Sequence, residues 1–188
     1  MRQHLRPALM MLVILTAITG VLYPLLVTGV AQLVFPWQAN GSLLGEEGAP
    51  VGSALLGQAN DDPRYFWPRP SATGYDALPS GGSNLAPTSV DLAAAVRQRT
   101  TDFRAANSLA ADAAIPTEML FASGSGLDPH ISPDAARLQV GRVAAARGLD
   151  PSQLLALVEA RVERPQLGLL GQPRVNILLL NRALDEIQ

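Results

Sequence analysis

Between Arg6 and Glu46 the chain carries no charged side chain, and the first half of that interval is almost wholly apolar. Ala8 to Ala31, at about 1.5 Å per residue in a helix, is long enough to cross the roughly 30 Å hydrocarbon core of a bilayer. No other stretch approaches that apolar density. The sequence therefore predicts residues 1–7 on one side of a membrane, one spanning helix over 8–34, and a water-facing domain over 35–188.

The flanks predict the orientation. Arg2, His4 and Arg6 precede the span and no cation follows it until Arg64, which keeps the N-terminus in the cytoplasm and makes 35–188 extracytoplasmic. Tyr23, Phe35 and Trp37 lie toward the outer end, where amphipathic rings favour the headgroup region. The alternative is a cleaved signal peptide, whose apolar core is typically about 7–15 residues with a small-x-small cleavage site. This core is longer, and Phe35-Pro36-Trp37-Gln38 is a poor cleavage site, so an uncleaved anchor is expected. Pro24 falls inside the span, removes a backbone donor and predicts a kink eased by a neighbour or a 3₁₀ adjustment. Thr16 and Gly20 form a small-xxx-small pair, a candidate surface for packing against another helix. An ordinary lipid-facing helix would carry such small residues as well.

Composition removes several functions. The chain has no cysteine and no lysine. It therefore has no Walker-type phosphate loop, no disulfide, no thiolate nucleophile and no Cys-ligated zinc or iron–sulfur site. His4 and His130 are the only imidazoles, and the expected topology separates them. Beyond the span twelve arginines face sixteen acids, a net −4. A nucleic-acid partner is not expected from that balance.

The outer part reads as one loop-rich α+β domain with three to four helices and a few short strands. Gly52–Gln58 and Tyr65–Trp67 are candidate strands, the second stopped by Pro68. Residues 69–87 are dominated by Gly, Ser, Pro and Asn, a long structured loop. Thr88-Ser-Val-Asp91 resembles a capping box opening a helix whose Leu92, Val96, Arg99 and Phe103 share a face. Ser132-Pro133 opens a second helix that Gly148 closes, and Asp150 caps a third carrying Leu154, Leu157, Val158 and Arg161. Arg174–Glu186 reads as a fourth helix, with Val175–Leu180 as a possible buried strand. The helical pair at 132–163 packs on a core; a DNA-reading helix-turn-helix is the alternative that Glu159 and Glu163 disfavour.

Ser123-Gly-Ser-Gly-Leu-Asp-Pro-His-Ile-Ser132 gathers serines, an acid and the outer histidine. A hydrolase using Ser125, Asp128 and His130 is thinkable, but the G-x-S-x-G elbow is missing because position 123 is serine. The plainer reading is a glycine-permitted turn leading into the Ser132 cap.

That loop also belongs to a wider pattern. Tyr23-Pro-Leu25, Gly41-Ser-Leu43, Gly52-Ser53, Gly57-Gln58, Tyr65-Phe66 and Arg69-Pro-Ser71 occur in order. They continue with Ser80-Gly-Gly-Ser-Asn-Leu85, Pro87-Thr88, the 123–132 loop, Arg142-Val-Ala144, Ala146-Arg-Gly148, Leu167-Gly168, Gly171, Val175-Asn176 and Leu180-Asn181. From the anchor to the C-terminus the chain resembles the C subunit of the Kdp-type potassium-transporting P-type ATPase.

The resemblance implies a non-catalytic subunit in the bacterial inner membrane, working beside a channel-like potassium-binding subunit and an ATP-hydrolysing subunit. ATP and K⁺ are then handled by the complex, with no cofactor bound by this chain and membrane lipid as its other neighbour. It further implies a role in assembly and stability, and a proposed catalytic-chaperone role raising nucleotide affinity of the hydrolysing subunit. A domain outside the membrane has no access to cytoplasmic nucleotide, so such an effect would travel through helix packing. For docking, the residue types point to Tyr65, Phe66, Trp67, Arg69 and Tyr75 as anchors. Ser80, Gly81, Gly82, Ser83 and Asn84 would join Ser123, Gly124, Ser125, Gly126, Asp128 and His130 as a conforming surface. The same aromatics could instead fill the domain's own core. Two other functions remain as alternatives, a tethered serine hydrolase and a free-standing anchored binding module.

Overall fold

The computed structural model describes residues 2–46 and 48–187 and divides into two units, one ending at Ser53 and one beginning at Ala54. In the first, α1 (Arg2–Ala17) runs into a π-helical turn (Ile18–Leu22) and then α2 (Tyr23–Val34). His4–Val34 forms a continuous 31-residue helix whose 18-residue apolar stretch has a mean hydropathy of 2.3 and is unburied. Pro24 explains the wide turn. It has no N–H to offer, and its ring would press on the carbonyl four residues back, at Gly20. Widening the turn removes that clash. The sequence predicts a kink here eased by a neighbour or a 3₁₀ adjustment; within the chain the local adjustment is the wider π turn rather than 3₁₀. Thr16 and Gly20 share a face, with an ideal Cβ on Gly20 falling 3.9 Å from Thr16 Cγ2.

A short helix α3 (Pro36–Ala39) leads to an antiparallel hairpin of β1 (Leu43–Glu46) and β2 (Ala49–Ser53). The register shifts between Leu44 and Gly45. Gly45 there has φ +123, and a Cβ would lie 2.7 Å from Ala49 O. The Trp37 indole donates to Leu43 O at 3.1 Å and Ser53 Oγ donates to Gly41 O at 2.7 Å, tying the hairpin to the preceding turn. The strand expected at Gly52–Gln58 therefore lies earlier. From Ala54 the backbone has other partners: Asn176 Nδ2 donates to Ala54 O at 2.7 Å, and Gly57 N–H donates to Leu127 O at 2.7 Å.

The second unit is a mixed domain of helices and short strands. Its helices are α4 (Val90–Ala106), α5 (Pro133–Arg147), α6 (Pro151–Ala160) and α7 (Ile177–Asp185). Three strands, β3 (His130–Ile131), β4 (Val162–Glu163) and β5 (Arg174–Asn176), form an antiparallel sheet in the order β3-β5-β4. Val140, Val143, Leu154, Val158, Leu180 and Leu184, from α5, α6 and α7, meet Ile131 and Val175 of the sheet in the main core.

Local rules set most helix ends. Ser132 Oγ accepts from Ala135 N–H at 3.1 Å, Gly148 closes α5 at φ 67° and ψ 28°, and Asp150 accepts from Ser152 N–H at 2.7 Å. The cap of α4 is Ser89, one residue after the expected Thr88. Ser89 is extended, its hydroxyl accepts from Leu92 N–H at 3.3 Å, and its carbonyl receives the first helical bond from Ala93. The two readings of 174–186 divide the segment: the helix starts only at Ile177, and the strand is Arg174–Asn176 and stops short of Leu180, because Asn176 caps α7 by accepting from Leu179 N–H at 3.1 Å.

Candidate functional site

Tyr65–Trp67 is not the expected strand: Tyr65 lies in a bend, its N–H donating to Asp62 O at 3.1 Å, and the segment pairs with no strand among the described residues. Side-chain amides substitute for one. Asn181 of α7 accepts from Phe66 N–H at 2.9 Å and donates to Phe66 O at 3.0 Å. Gln139 of α5, fully buried, accepts from Trp67 N–H at 2.7 Å and donates to Trp67 O at 3.3 Å. Two carboxamides thus satisfy both polar groups of two adjacent residues, as a neighbouring strand would.

Two arginines complete the clamp. Arg142 donates to Pro63 O at 2.8 Å, Tyr65 O at 2.9 Å, Asn107 Oδ1 at 3.0 Å and Gln139 Oε1 at 2.7 Å. Its guanidinium lies 4.0 Å from the Trp67 ring centroid. Burial draws its pKa down to about 10, leaving it charged at neutral pH. Arg147 donates to Arg64 O at 2.8 Å and Asp185 Oδ1 at 2.6 Å, and sits 4.6 Å over the Tyr65 ring. Tyr65 OH donates to the same carboxylate at 3.1 Å.

The expected docking anchors consequently separate. Phe66 is 0% exposed and spends its ring in the core, which withdraws it from any docking surface. Tyr65 and Trp67 are half-buried against arginines of their own chain. Arg69 and Tyr75 remain partly accessible beside the Ser/Gly loops. The Tyr75 hydroxyl donates to Arg69 O at 2.7 Å, and burial raises its pKa.

The two Ser/Gly motifs, far apart in sequence, adjoin in space. Gly81 N–H donates to Ser125 O at 2.9 Å and Ser123 N–H to Pro70 O at 3.1 Å. Gly126 adopts φ +71, where a Cβ would fall 2.6 Å from Thr73 Oγ1 and 2.9 Å from Gly81 O. A Cβ on Gly82 would come to 3.3 Å from Gly124 O. Glycine is needed here for close approach of backbone to backbone. Ser80, Ser83, Asn84, Gly124 and Ser125 stay exposed on the joined surface, while Ser123 is buried beneath it.

From Asp128 a line of charge runs along the sheet. Arg69 Nη1 donates to Asp128 Oδ2 at 2.8 Å, and His130 N–H donates to Asp128 Oδ1 at 3.0 Å. His130 Nδ1 lies 3.5 Å from Asp128 and its Nε2 lies 3.9 Å from Glu163, which accepts from Arg174 Nε at 2.8 Å. Burial pushes the Asp128 carboxyl upward. The His130 ring and amide and the Arg69 guanidinium outweigh it and hold the pKa at about 2. Arg69 and His130 also line an open cleft of about 920 Å³ with Glu118, Arg137, Arg164 and Arg174.

A hydrolase triad does not form. Ser125 Oγ accepts from Leu127 N–H at 3.1 Å, and among the described residues it makes no hydrogen bond to His130. The described residues also hold no group of three or more His, Asp or Glu placed to bind a metal. Gln139, Arg142, Arg147 and Asn181 carry the clamp; Arg142, Arg147 and Asn181 fall in motifs read from the sequence, but none of the four was expected to hold residues 62–67. A local signal was Gln139–Arg142 spacing, which puts a carboxamide and a guanidinium on one face of α5.

Fold and site together define a membrane-anchored protein with one apolar helix and a mixed domain of helices and short strands. Comparison with known proteins makes this specific. The family described as KdpC, the K⁺-transporting ATPase c chain, matches residues 5–186. The potassium-transporting ATPase KdpC subunit of Sorangium cellulosum (strain So ce56) is 55% identical over 188 residues, covering 98% of each chain. Those of Polaromonas naphthalenivorans (strain CJ2) and Variovorax paradoxus (strain S110) are each 53% identical, over 191 and 188 residues. They cover 100% and 98% of this chain and 97% of each relative. The chain belongs to the KdpC family, whose members are non-catalytic accessory subunits.

Proposed function

We propose that this chain is the accessory subunit of a potassium-transporting P-type ATPase, holding the complex together while other subunits conduct K⁺ and hydrolyse ATP. Family membership over nearly the whole chain carries this reading. The N-terminus lies in the cytoplasm, the helix crosses the inner membrane over 8–34, and 35–188 is extracytoplasmic. The cations at Arg2, His4 and Arg6, before a long uncharged interval, support that orientation.

The channel-like potassium-binding subunit docks on the joined Ser/Gly surface, and the spanning helix packs on a partner helix through Thr16 and Gly20. Exposure of Ser83, Asn84, Gly124 and Ser125 beside partly accessible Arg69 and Tyr75 supports this docking face. Arg69 Nε is buried without an acceptor, a cost that docking which reorders this side chain would relieve. The catalytic-chaperone effect, a raised nucleotide affinity in the ATP-hydrolysing subunit, reaches the cytoplasm through the spanning helix.

The test is Ser83→Arg in the full chain, which adds bulk and charge at an exposed position. Recovery of the channel-like subunit with the tagged variant should fall at least tenfold while the thermal midpoint is unchanged, since loss of one well-packed contact region costs about 1.4 kcal/mol or more. Undiminished recovery places the docking face elsewhere.

A further inference from the structure

Residues 164–173, between β4 and β5, present Leu167, Leu169 and Leu170 at 91%, 85% and 61% exposure. The segment is a built turn. Gln166 and Leu170 exchange both backbone hydrogen bonds at 2.9 Å, Gly168 N–H donates to Pro165 O at 3.0 Å, and Leu169 N–H donates to Gln166 O at 3.1 Å. Leu167 is held at φ 54°, a left-handed conformation that a leucine rarely adopts. The fold thus fixes a strained turn that keeps three leucines in water.

Charge narrows what such a tip meets. Arg164 and Arg174 flank it and no acid lies between them, although the chain beyond the span carries more acids than arginines. Arg164 is exposed and makes no ion pair among the described residues, while Arg174 is shared with Glu163. Leucine is under-represented among the anchors of protein interfaces. An apolar tip between cations suits an anionic bilayer surface, where apolar groups enter the headgroup–acyl boundary and arginines meet phosphates. Entry also requires backbone donors satisfied from within, and the amides of Gln166, Gly168, Leu169 and Leu170 all donate inside the turn.

The geometry points to a lipid-inserting tip: Leu167, Leu169 and Leu170 enter an anionic membrane surface, and Arg164 and Arg174 hold lipid phosphates. It goes beyond the accessory-subunit reading and rests only on the chain's being anchored in a membrane. A tip of this kind fixes the domain at a second point besides its helix.

The chain has no cysteine, so Leu169→Cys carries a single environment-sensitive fluorophore. The labelled full chain is placed in nanodiscs of phosphatidylethanolamine and phosphatidylglycerol, with Asp112→Cys as the aqueous baseline. The tip probe should emit to the blue of that baseline and be quenched by nitroxide lipid in preference to a water-soluble quencher. Arg164→Ala should lower the inserted-to-free ratio roughly fivefold, the value of one cation near an anionic surface, and phosphatidylcholine alone should lower it further because both arginines lose their partners. A tip probe quenched from water in both lipids overturns the inference. So does a probe shielded only when partner chains are present and untouched by nitroxide lipid, which assigns the tip to a protein contact. Neither outcome bears on pump membership.

Discussion

Two neighbouring stretches of the second unit are held in opposite ways. Residues 62–67 are clamped by side chains reaching from helices: Asn181 and Gln139 bond the backbone, and Arg142 and Arg147 bond it and cover the rings. Residues 69–84 are held mainly by local turns and by backbone meeting the 123–128 loop, with glycine where a Cβ would collide. The first stretch buries its chemistry and the second displays it. Aromatic residue types suggest docking anchors, yet here the rings pack against the chain's own arginines and core, and the plainer Ser/Gly surface stays exposed.

That contrast is sharpest at Asn181. Asn181→Leu removes both partners of Phe66 and leaves two buried backbone groups unpaired, so the second unit should lose about 4 kcal/mol in urea unfolding of the detergent-solubilised chain. A loss below about 1 kcal/mol would mean that the amide clamp is not what holds the segment. Gly126→Ala attacks the other stretch. At φ +71 and with Thr73 Oγ1 and Gly81 O in the way, it should cost about 2–3 kcal/mol and separate the two loops, lowering partner recovery as well.

The acid limb of stability tests the junction between them. Asp128 has its pKa depressed from an ordinary 3.8 to about 2. Its contribution is therefore complete above pH 4 and is lost as pH falls from about 4 through about 2. The amount is about 2 kcal/mol, and Asp128→Asn should flatten that part of the pH–stability curve. The smallest effect belongs to Ser83→Ala, within about 0.5 kcal/mol of wild type because the side chain is exposed. If it unfolds the domain, the loop is structural and the contrast fails.

Legibility followed the range of the forces. Ser132, Gly148 and Asp150 cap helices through contacts within four residues, so sequence alone placed them. β3 and β4 are two residues long and exist only through pairing with β5, which no local pattern encodes. Tyr65–Trp67 reads as a strand because it is an aromatic run stopped by Pro68; that its partners are carboxamides on α5 and α7 depends on tertiary placement. Pro24 announced a disturbed turn but not whether it would tighten or widen. The Ser/Gly motifs were legible as permissive loops, whereas their meeting through Gly81 and Ser125 was not, since backbone approach leaves only glycine as its trace.

The most direct test of the accessory-subunit account is purification of the C-terminally tagged chain from potassium-starved membranes in mild detergent. The account predicts stoichiometric recovery of a P-type ATP-hydrolysing subunit and a polytopic channel-like subunit, with potassium-stimulated ATPase activity in that fraction. Recovery of the folded, monodisperse chain alone would contradict it.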